Sequence, residues 1–144
     1  MAEETHYALQ LVDTLFEELA ASKELTIEHA HRLHEVFETK LQESFYLIDN
    51  NAVERAICQA GRVIYRVSDA CFQKDDRPNT WYTCFLDPRY CSCAEFRNAT
   101  LCDRSTVMCR HILAVALVDA LDLLSGQEPI DDEEFAEIMY RWTL

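Results

Sequence analysis

The sequence predicts an α+β fold, with two helices at the N-terminus, a small antiparallel sheet, and a cysteine-rich segment that leads into an apolar helix. Apolar side chains recur at helical spacing in the N-terminal part, whereas β-branched residues become frequent from about residue 52. A cysteine-rich stretch from Tyr90 onward then precedes an almost uninterrupted apolar run. A chain of 144 residues can bury one core, so we expect a single domain over residues 1–144.

The N-terminal segment is predicted to form two helices. The second begins at Thr26, whose hydroxyl suits an N-cap, and runs to Leu41 with an apolar face that includes Leu33, Val36 and Phe37. The first spans Tyr7 to Ala21, and its apolar side chains share one face: Ala8, Leu11, Val12, Leu15, Phe16 and Leu19.

Three histidines, His29, His31 and His34, lie in the second predicted helix. Of these, only His31 and His34 have a spacing that places them on the same helix face. We therefore interpret the three as solvated helix positions rather than as a metal or catalytic site.

The middle of the chain is predicted to form three strands. The segments AVERAIC and RVIYRVS are rich in β-branched residues, and Gly61 between them favours a turn, so together they predict a β-hairpin. A polar loop, CFQKDDRPN, follows. The segment TWYTCFLD is the third strand, which ends at Asp87 and Pro88 because the residue before a proline is sterically restricted.

Two further helices are expected near the C-terminus. The segment HILAVALVDALDLL is apolar on almost every side, which predicts that it is covered on more than one face, by its own domain or by a partner. The last helix runs from Asp132 to about Trp142. Its start has the pattern of a capping box with a hydrophobic staple, formed by Ile130, Asp131, Glu134 and Phe135.

The paired spacing of Cys91 with Cys93, and of Cys109 with His111, indicates a metal site. Residues two apart on a strand point to the same side, so Cys91 and Cys93 can reach one ion together. Cys109 and His111 converge only if they straddle the start of a helix, and the apolar run begins there. Three thiolates and one imidazole form a closed tetrahedral ligand set for one structural zinc ion.

The other cysteines leave alternatives open. Cys102 could replace one of the ligands, or it could remain a free thiol on a loop. Cys58, Cys71 and Cys84 lie in or beside strand-like segments and are interpreted as small core residues. A redox dithiol at Cys91 and Cys93 is a further alternative, although Cys-x-x-Cys is the usual redox spacing. The start of the chain is acidic and lacks a secretory pattern, so we expect an intracellular protein with reduced thiols.

The formal net charge of −13 argues against autonomous binding to nucleic acid. Positive charge outside the cysteine-rich segment is concentrated in Arg62, Arg66, Lys74 and Arg77, which we interpret as the exposed face of the hairpin before a phosphate contact. Only two glycines are present, and neither a P-loop nor a dinucleotide-binding motif occurs. We also find no membrane-spanning run, and we expect a protein that is not an enzyme.

The Cys-x-Cys and Cys-x-His pairs, with Ala114 three residues after His111, resemble the SWIM-type zinc finger. That resemblance implies a ββα unit over residues 84–124 with the four predicted ligands on a hairpin and a helix start. It also implies an aromatic residue packed under the metal, here Phe96. Ala94 departs from the family, in which a proline often follows the second cysteine.

With its helical N-terminus and the run RVIYRV, WYTC and YCSCAEF, the chain further resembles the SWIM-containing subunit of the Shu complex. Those proteins act in homologous recombination. The resemblance implies a nuclear protein that is an obligate heterodimer with a small RecA-family recombinase paralogue and promotes assembly of the recombinase filament, with single-stranded DNA bound mainly by the partner.

On this interpretation, zinc fixes the start of the apolar helix and thereby organises a surface that the partner covers. We expect that surface to include residues from the set Ile112, Val115, Leu117 and Val118. Three alternatives stay open: a finger that binds single-stranded nucleic acid directly through Arg62 and Arg66, a thiol enzyme that uses Cys91 and Cys93, and an adaptor in ubiquitin ligation.

Overall fold

The computed structural model describes the backbone of residues 2–73, 80–102 and 107–144, and the side chains of residues 7–73, 80–100 and 107–144. Five α-helices are present in these ranges: α1 (Ala2–Ser22), α2 (Ile27–Phe37), α3 (Thr39–Asp49), α4 (Arg110–Ala120) and α5 (Asp132–Trp142). They accompany four strands, β1 (Val53–Ile57), β2 (Val63–Ser68), β3 (Trp81–Leu86) and β4 (Arg89–Cys91). A short turn of 3-10 helix (Ala70–Phe72) follows β2, and a π-helical turn (Phe96–Cys102) follows β4. The predicted α+β class is confirmed.

The sheet is an antiparallel meander in which each strand pairs with the next along the chain. The predicted hairpin of β1 and β2 is present, with Val53 opposite Val67 and Ile57 opposite Val63. The predicted third strand is β3, which pairs with both β2 and β4. In the last of these pairs, Cys84 lies directly opposite Cys91. The β3–β4 hairpin therefore brings the beginning of the cysteine-rich segment into the sheet.

The N-terminal region contains three helices rather than the two that were predicted. The Thr26 side chain caps α2 as expected, because its hydroxyl oxygen accepts a hydrogen bond from the His29 N–H at 3.1 Å. The helix nevertheless ends at Phe37, before Leu41, and α3 begins at once. Glu38 between them has a φ angle of 54° and a ψ angle of −126°, which takes the chain out of the helical region. This break lets α3 bury Leu41 and Leu47 against the core.

The backbone at Glu38 gives a testable prediction about stability. A positive φ is costly for any residue with a Cβ, and glycine removes that cost. We expect Glu38→Gly to raise the free energy of unfolding by about 1 kcal/mol. The matched control is Glu35→Gly at an exposed position inside α2, which should lower it by about 1 kcal/mol. Urea unfolding of the two variants measures both values. A Glu38→Gly protein less stable than wild type would show that the positive φ angle does not strain the backbone at Glu38.

The core is built around α4, which is buried on nearly every side as its composition predicted. Helices α1 and α3 cover it from one direction, and the sheet covers it from the other. Helix α1 contributes Val12, Leu15 and Leu19, which are at most 1% exposed. Leu11, which was predicted on the same apolar face, is instead 45% exposed. Helix α4 ends at Ala120, whereas the apolar segment predicted to form it runs to Leu124. A turn follows α4, in which Asp122 has a φ angle of 53°.

Helix α5 packs on the far end of the sheet and forms a second, smaller apolar cluster with it. Phe135 is buried there together with Ala56, Cys58 and Ile64. The predicted cap is present, since Asp131 Oδ1 accepts a hydrogen bond from the Glu134 N–H at 2.7 Å. Helix α5 starts at Asp132 as the capping pattern predicted, and it ends at Trp142, where its end was expected.

None of the helices in the described part of the chain is both long enough and apolar enough to cross a membrane.

Candidate metal centre

The structure brings the four predicted ligands together at the junction of the β3–β4 hairpin with α4. Cys91 ends β4, Cys93 lies in the bend just after it, Cys109 is the N-cap residue of α4, and His111 is in its first turn. All four are buried, and their ligand atoms lie within 4.8 Å of one another. We call this set the thiol–imidazole cluster. Within the described residues, no other group of histidines, cysteines and carboxylates has this proximity.

The spacing within the thiol–imidazole cluster suits a tetrahedral ion. The Cys91 sulfur is 3.8 Å from His111 Nδ1. Zinc holds sulfur at about 2.3 Å and nitrogen at about 2.0 Å, so two such ligands of a tetrahedral ion stand roughly 3.5 Å apart. A small contraction of the cluster is therefore enough to coordinate a metal ion, and thiolate with imidazole is a donor set that favours zinc.

Two of the three ligand sulfurs accept hydrogen bonds from backbone N–H groups. The Phe96 N–H donates to Cys93 Sγ at 3.3 Å, and the Ile112 N–H donates to Cys109 Sγ at 3.5 Å. The second of these is also the N-cap contact of α4, which places the Cys109 sulfur at the positive end of the helix. Phe96 is 2% exposed, so the aromatic residue predicted beneath the metal is buried beside the cluster. The two backbone hydrogen bonds to sulfur favour the thiolate form that a metal needs.

The orientation of His111 is fixed by a carboxylate. Its Nε2 lies 2.8 Å from Asp69 Oδ1, so Nε2 carries a proton and donates it to Asp69. In the neutral imidazole that a metal requires, Nδ1 then carries the lone pair, and it faces the Cys91 sulfur. The Tyr82 ring packs against the imidazole with 4.6 Å between ring centroids. A carboxylate that holds the second ring nitrogen is the usual support of a metal-binding histidine.

Asp69 also joins the cluster to helix α3. The Arg110 guanidinium donates to Asp69 Oδ2 at 3.2 Å and to Glu43 Oε2 at 3.0 Å, and it lies 4.0 Å above the Phe72 ring. Asp69 could not be recognised from the sequence, because it is 42 residues from His111 and no spacing connects the two. Asp69 directly follows β2, and only the pairing of β2 with β3 carries it to the N-terminal end of α4, where it meets His111.

The protonation of the metal-free cluster reflects these contacts. Burial lowers the pKa of His111, but its hydrogen bonds with Asp69 and with the Cys109 and Cys93 sulfurs raise it overall to about 11. Hydrogen bonds from the Cys109 and Cys91 thiols lower the pKa of Cys93 far below its usual value. In the cluster without metal, protons therefore occupy His111 and the neighbouring thiols. Because a metal must displace these protons, its binding releases them to solvent.

Asp69 provides the second testable prediction. Asp69→Ala removes the acceptor that orients His111, and loss of such an outer partner weakens metal binding about 10- to 100-fold. We expect the metal-competition curve of Asp69→Ala to shift by that amount while the protein still binds one ion at saturation. The matched control is Asp13→Ala. Asp13 is an exposed residue of α1 that forms an ion pair with Arg89. Equal affinity in Asp69→Ala and wild type would contradict this role of the carboxylate.

Among the described side chains, the remaining cysteines and histidines lie outside the cluster. Cys58 and Cys84 are buried core residues as predicted, and Cys71 is partly exposed. The side chain of Cys102 lies outside the described residues, so its alternatives stay open. His29 bonds to Thr26 and to Glu18, with Nε2 3.0 Å from Glu18 Oε2, and His31 and His34 are exposed on α2.

The structure corrects the predicted nucleic-acid contact at Arg66. Its Nε donates to Glu54 Oε2 at 2.7 Å, and its guanidinium lies between two indole rings, 4.0 Å from the centroid of Trp81 and 4.7 Å from that of Trp142. Arg66 therefore holds α5 on the sheet instead of standing free for a phosphate. Arg62 is exposed at the β1–β2 turn. Lys74 and Arg77 lie outside the described residues.

The structure also corrects the predicted partner surface on α4. The four residues assigned to it are between 0% and 2% exposed within the chain itself: Ile112, Val115, Leu117 and Val118. Because α1, α3 and the sheet pack against α4, these four side chains offer no surface to a second protein. The prediction that this helix is covered on several sides holds, but its own domain provides the cover.

Comparison with known proteins identifies relatives along most of the chain. It is 28% identical to a protein named zinc finger SWIM domain-containing protein 7 from Danio rerio over 134 residues, which cover 93% of this chain and 90% of that protein. It is 25% identical to the protein of the same name from Homo sapiens over 133 residues, with 90% and 89% covered. No protein-family model matches the chain, and no solved structure is significantly similar to it.

Proposed function

We propose that this chain, a homologue of the proteins named zinc finger SWIM domain-containing protein 7, is a non-catalytic subunit of a nuclear recombination mediator, held in shape by one structural zinc ion. The observation that carries this proposal is the buried thiol–imidazole cluster at the hairpin–helix junction. Its position is the one that the SWIM-type pattern implies. The homology spans nearly the whole chain, so it includes the parts outside the finger.

The arrangement of the cluster supports a structural rather than a catalytic metal. Three sulfurs and one nitrogen complete a tetrahedron, which leaves no coordination position for water or substrate. All four ligands are also at most 4% exposed. A zinc ion in this site supplies cross-links between β4, the bend after it and α4. The chain's own residues do the rest: Asp69 orients His111, and the backbone N–H groups of Phe96 and Ile112 stabilise the sulfurs.

The partner, on this proposal, is a small RecA-family recombinase paralogue. Through that partner, the heterodimer promotes the assembly of a recombinase filament on single-stranded DNA during homologous recombination. The net charge of −13 is consistent with DNA contacts made mainly by the partner. The engagement of Arg66 by Glu54 and two tryptophans disfavours direct binding of nucleic acid by this chain.

Co-expression with the recombinase paralogues of the same organism tests the proposal. We expect native mass spectrometry to show a one-to-one complex that contains one zinc ion. His111→Ala should lose both the ion and the complex, because the start of α4 is no longer fixed. Cys58→Ala, which removes a buried sulfur from the other apolar cluster, should keep both. A zinc-loaded wild-type chain that binds none of these paralogues would contradict the proposed function.

A further inference from the structure

The ligand sulfurs of the thiol–imidazole cluster differ in their hydrogen-bond donors. Cys93 receives the Phe96 N–H, and Cys109 receives the Ile112 N–H. Among the described residues, no backbone N–H donates to Cys91. Its sulfur is surrounded by the other members of the cluster, within 4.8 Å, and by one cysteine outside it, Cys84, its direct partner in the sheet.

Cys84 is placed against Cys91 by the sheet. The two residues are direct partners in the register of β3 and β4, and directly opposite residues on neighbouring antiparallel strands have adjacent side chains. Cys84 is 0% exposed and Cys91 is 1% exposed, so water does not compete for their contact. The Cys84 sulfur lies 4.0 Å from the Tyr82 carbonyl oxygen, and the Cys91 side chain lies beside it across the β3–β4 pair.

We propose that Cys84 is a positioning residue of the metal centre, whose neutral thiol donates its S–H to the Cys91 thiolate when zinc is bound. This inference rests on the zinc site of the proposed function but not on its partner. A zinc ion with three thiolates leaves one net negative charge in a buried site. Because a negatively charged sulfur is a stronger acceptor than a carbonyl oxygen 4.0 Å away, the thiol turns from Tyr82 to Cys91. Each ligand sulfur then has one donor from outside the cluster.

Metal affinity tests this role in three variants. Cys84→Ala removes the donor, and we expect its zinc affinity, measured by competition with a chromogenic chelator, to fall about 10-fold or more. Cys84→Ser keeps a donor at the same place, and its affinity should remain close to that of wild type. Cys58→Ala removes a buried sulfur far from the cluster and should leave the affinity unchanged. Equal zinc affinity in Cys84→Ala and wild type would overturn the inference.

A spectrum of the cobalt-substituted protein separates this role from simple packing. A hydrogen bond lowers the energy of the sulfur lone pair, so its loss should move the sulfur-to-cobalt charge-transfer band of Cys84→Ala to lower energy. In Cys84→Ser the band should remain close to its wild-type position. A residue that only fills space would leave the band of both variants unmoved, which would overturn the inference even if Cys84→Ala binds zinc more weakly.

If Cys84→Ala does not fold, infrared spectroscopy of the wild-type protein decides the question. The S–H stretching band of Cys84 is assigned as the one lost in Cys84→Ser, and it should move to lower frequency when zinc binds. An unchanged frequency would contradict the proposal. A wild-type chain that binds no zinc at all would instead refute the structural zinc of the proposed function, so the two failures are distinguishable.

Discussion

Replacement of Cys109 by alanine is expected to abolish stoichiometric zinc binding and cooperative folding of the chain. Cys109 is a proposed metal ligand and also the N-cap of α4, with 0% of its surface exposed. Structural zinc contributes about 10–16 kcal/mol in zinc-finger peptides, which matches or exceeds the total stability of most domains, about 5–15 kcal/mol. Without the ion, the start of α4 loses its connection to the β3–β4 hairpin, and α4 is the centre of the core.

Metal content and urea unfolding of the purified variant measure this outcome. The variant should contain no zinc at stoichiometric level and should show no sharp unfolding transition. Cys58→Ala is the matched control, since it also removes a buried cysteine but one that belongs to the smaller apolar cluster beside α5. This control should keep one zinc ion and a cooperative transition. A Cys109→Ala protein that retains one zinc and the wild-type midpoint would show that Cys109 is not a ligand.

Truncation of Leu117 should produce the second large effect, this time without loss of the metal. Leu117 is 0% exposed in α4, where its side chain belongs to the main apolar cluster. Leu117→Ala leaves a cavity in this cluster and should lower the free energy of unfolding by about 2–5 kcal/mol. The same replacement at Leu123, which is 48% exposed just after α4, should change it by less than about 0.5 kcal/mol.

Urea unfolding in the presence of zinc separates the two leucine variants, and both should retain one ion per chain. A destabilisation by Leu117→Ala of less than about 1 kcal/mol would mean that this side chain is not packed in a core. In that case α4 would have a free face, and the original prediction of a partner surface there would regain its basis.

Features that depend on local chemistry could be predicted from the sequence. The start of α5 followed from the cap at Asp131, and the start of α4 followed from the need to bring Cys109 and His111 to one point. The four proposed ligands were found because their paired spacings have no simpler explanation. The β1–β2 hairpin followed from its β-branched residues and Gly61.

Features that depend on tertiary contacts could not be predicted. Glu38 breaks the helix between α2 and α3 although neither glycine nor proline marks the position; the gain is that α3 reaches α4. The role of Asp69 arises only when β2 and α4 meet. In the sequence, Arg66 is one of several neighbouring positive charges, as a nucleic-acid contact would be. The fold, however, places Trp142 of α5 over its guanidinium.

The partner surface failed for a related reason. A helix that is apolar on all sides is equally consistent with cover by its own domain and with cover by another protein. The choice between them depends on whether α1 and α3 both reach α4, and sequence periodicity does not report that. In this chain both do, and the partner of the proposed function must therefore contact other residues.

The zinc content of the purified wild-type chain tests the central claim most directly. It is measured by elemental analysis on folded protein, in which the amide hydrogens of the core are protected from exchange with solvent. We predict one zinc ion per chain, and its removal by a strong chelator should expose the amides of α4 to hydrogen exchange. A chain without metal in which those amides remain protected would show that the four side chains hold the fold by themselves, and the account of the metal centre would be wrong.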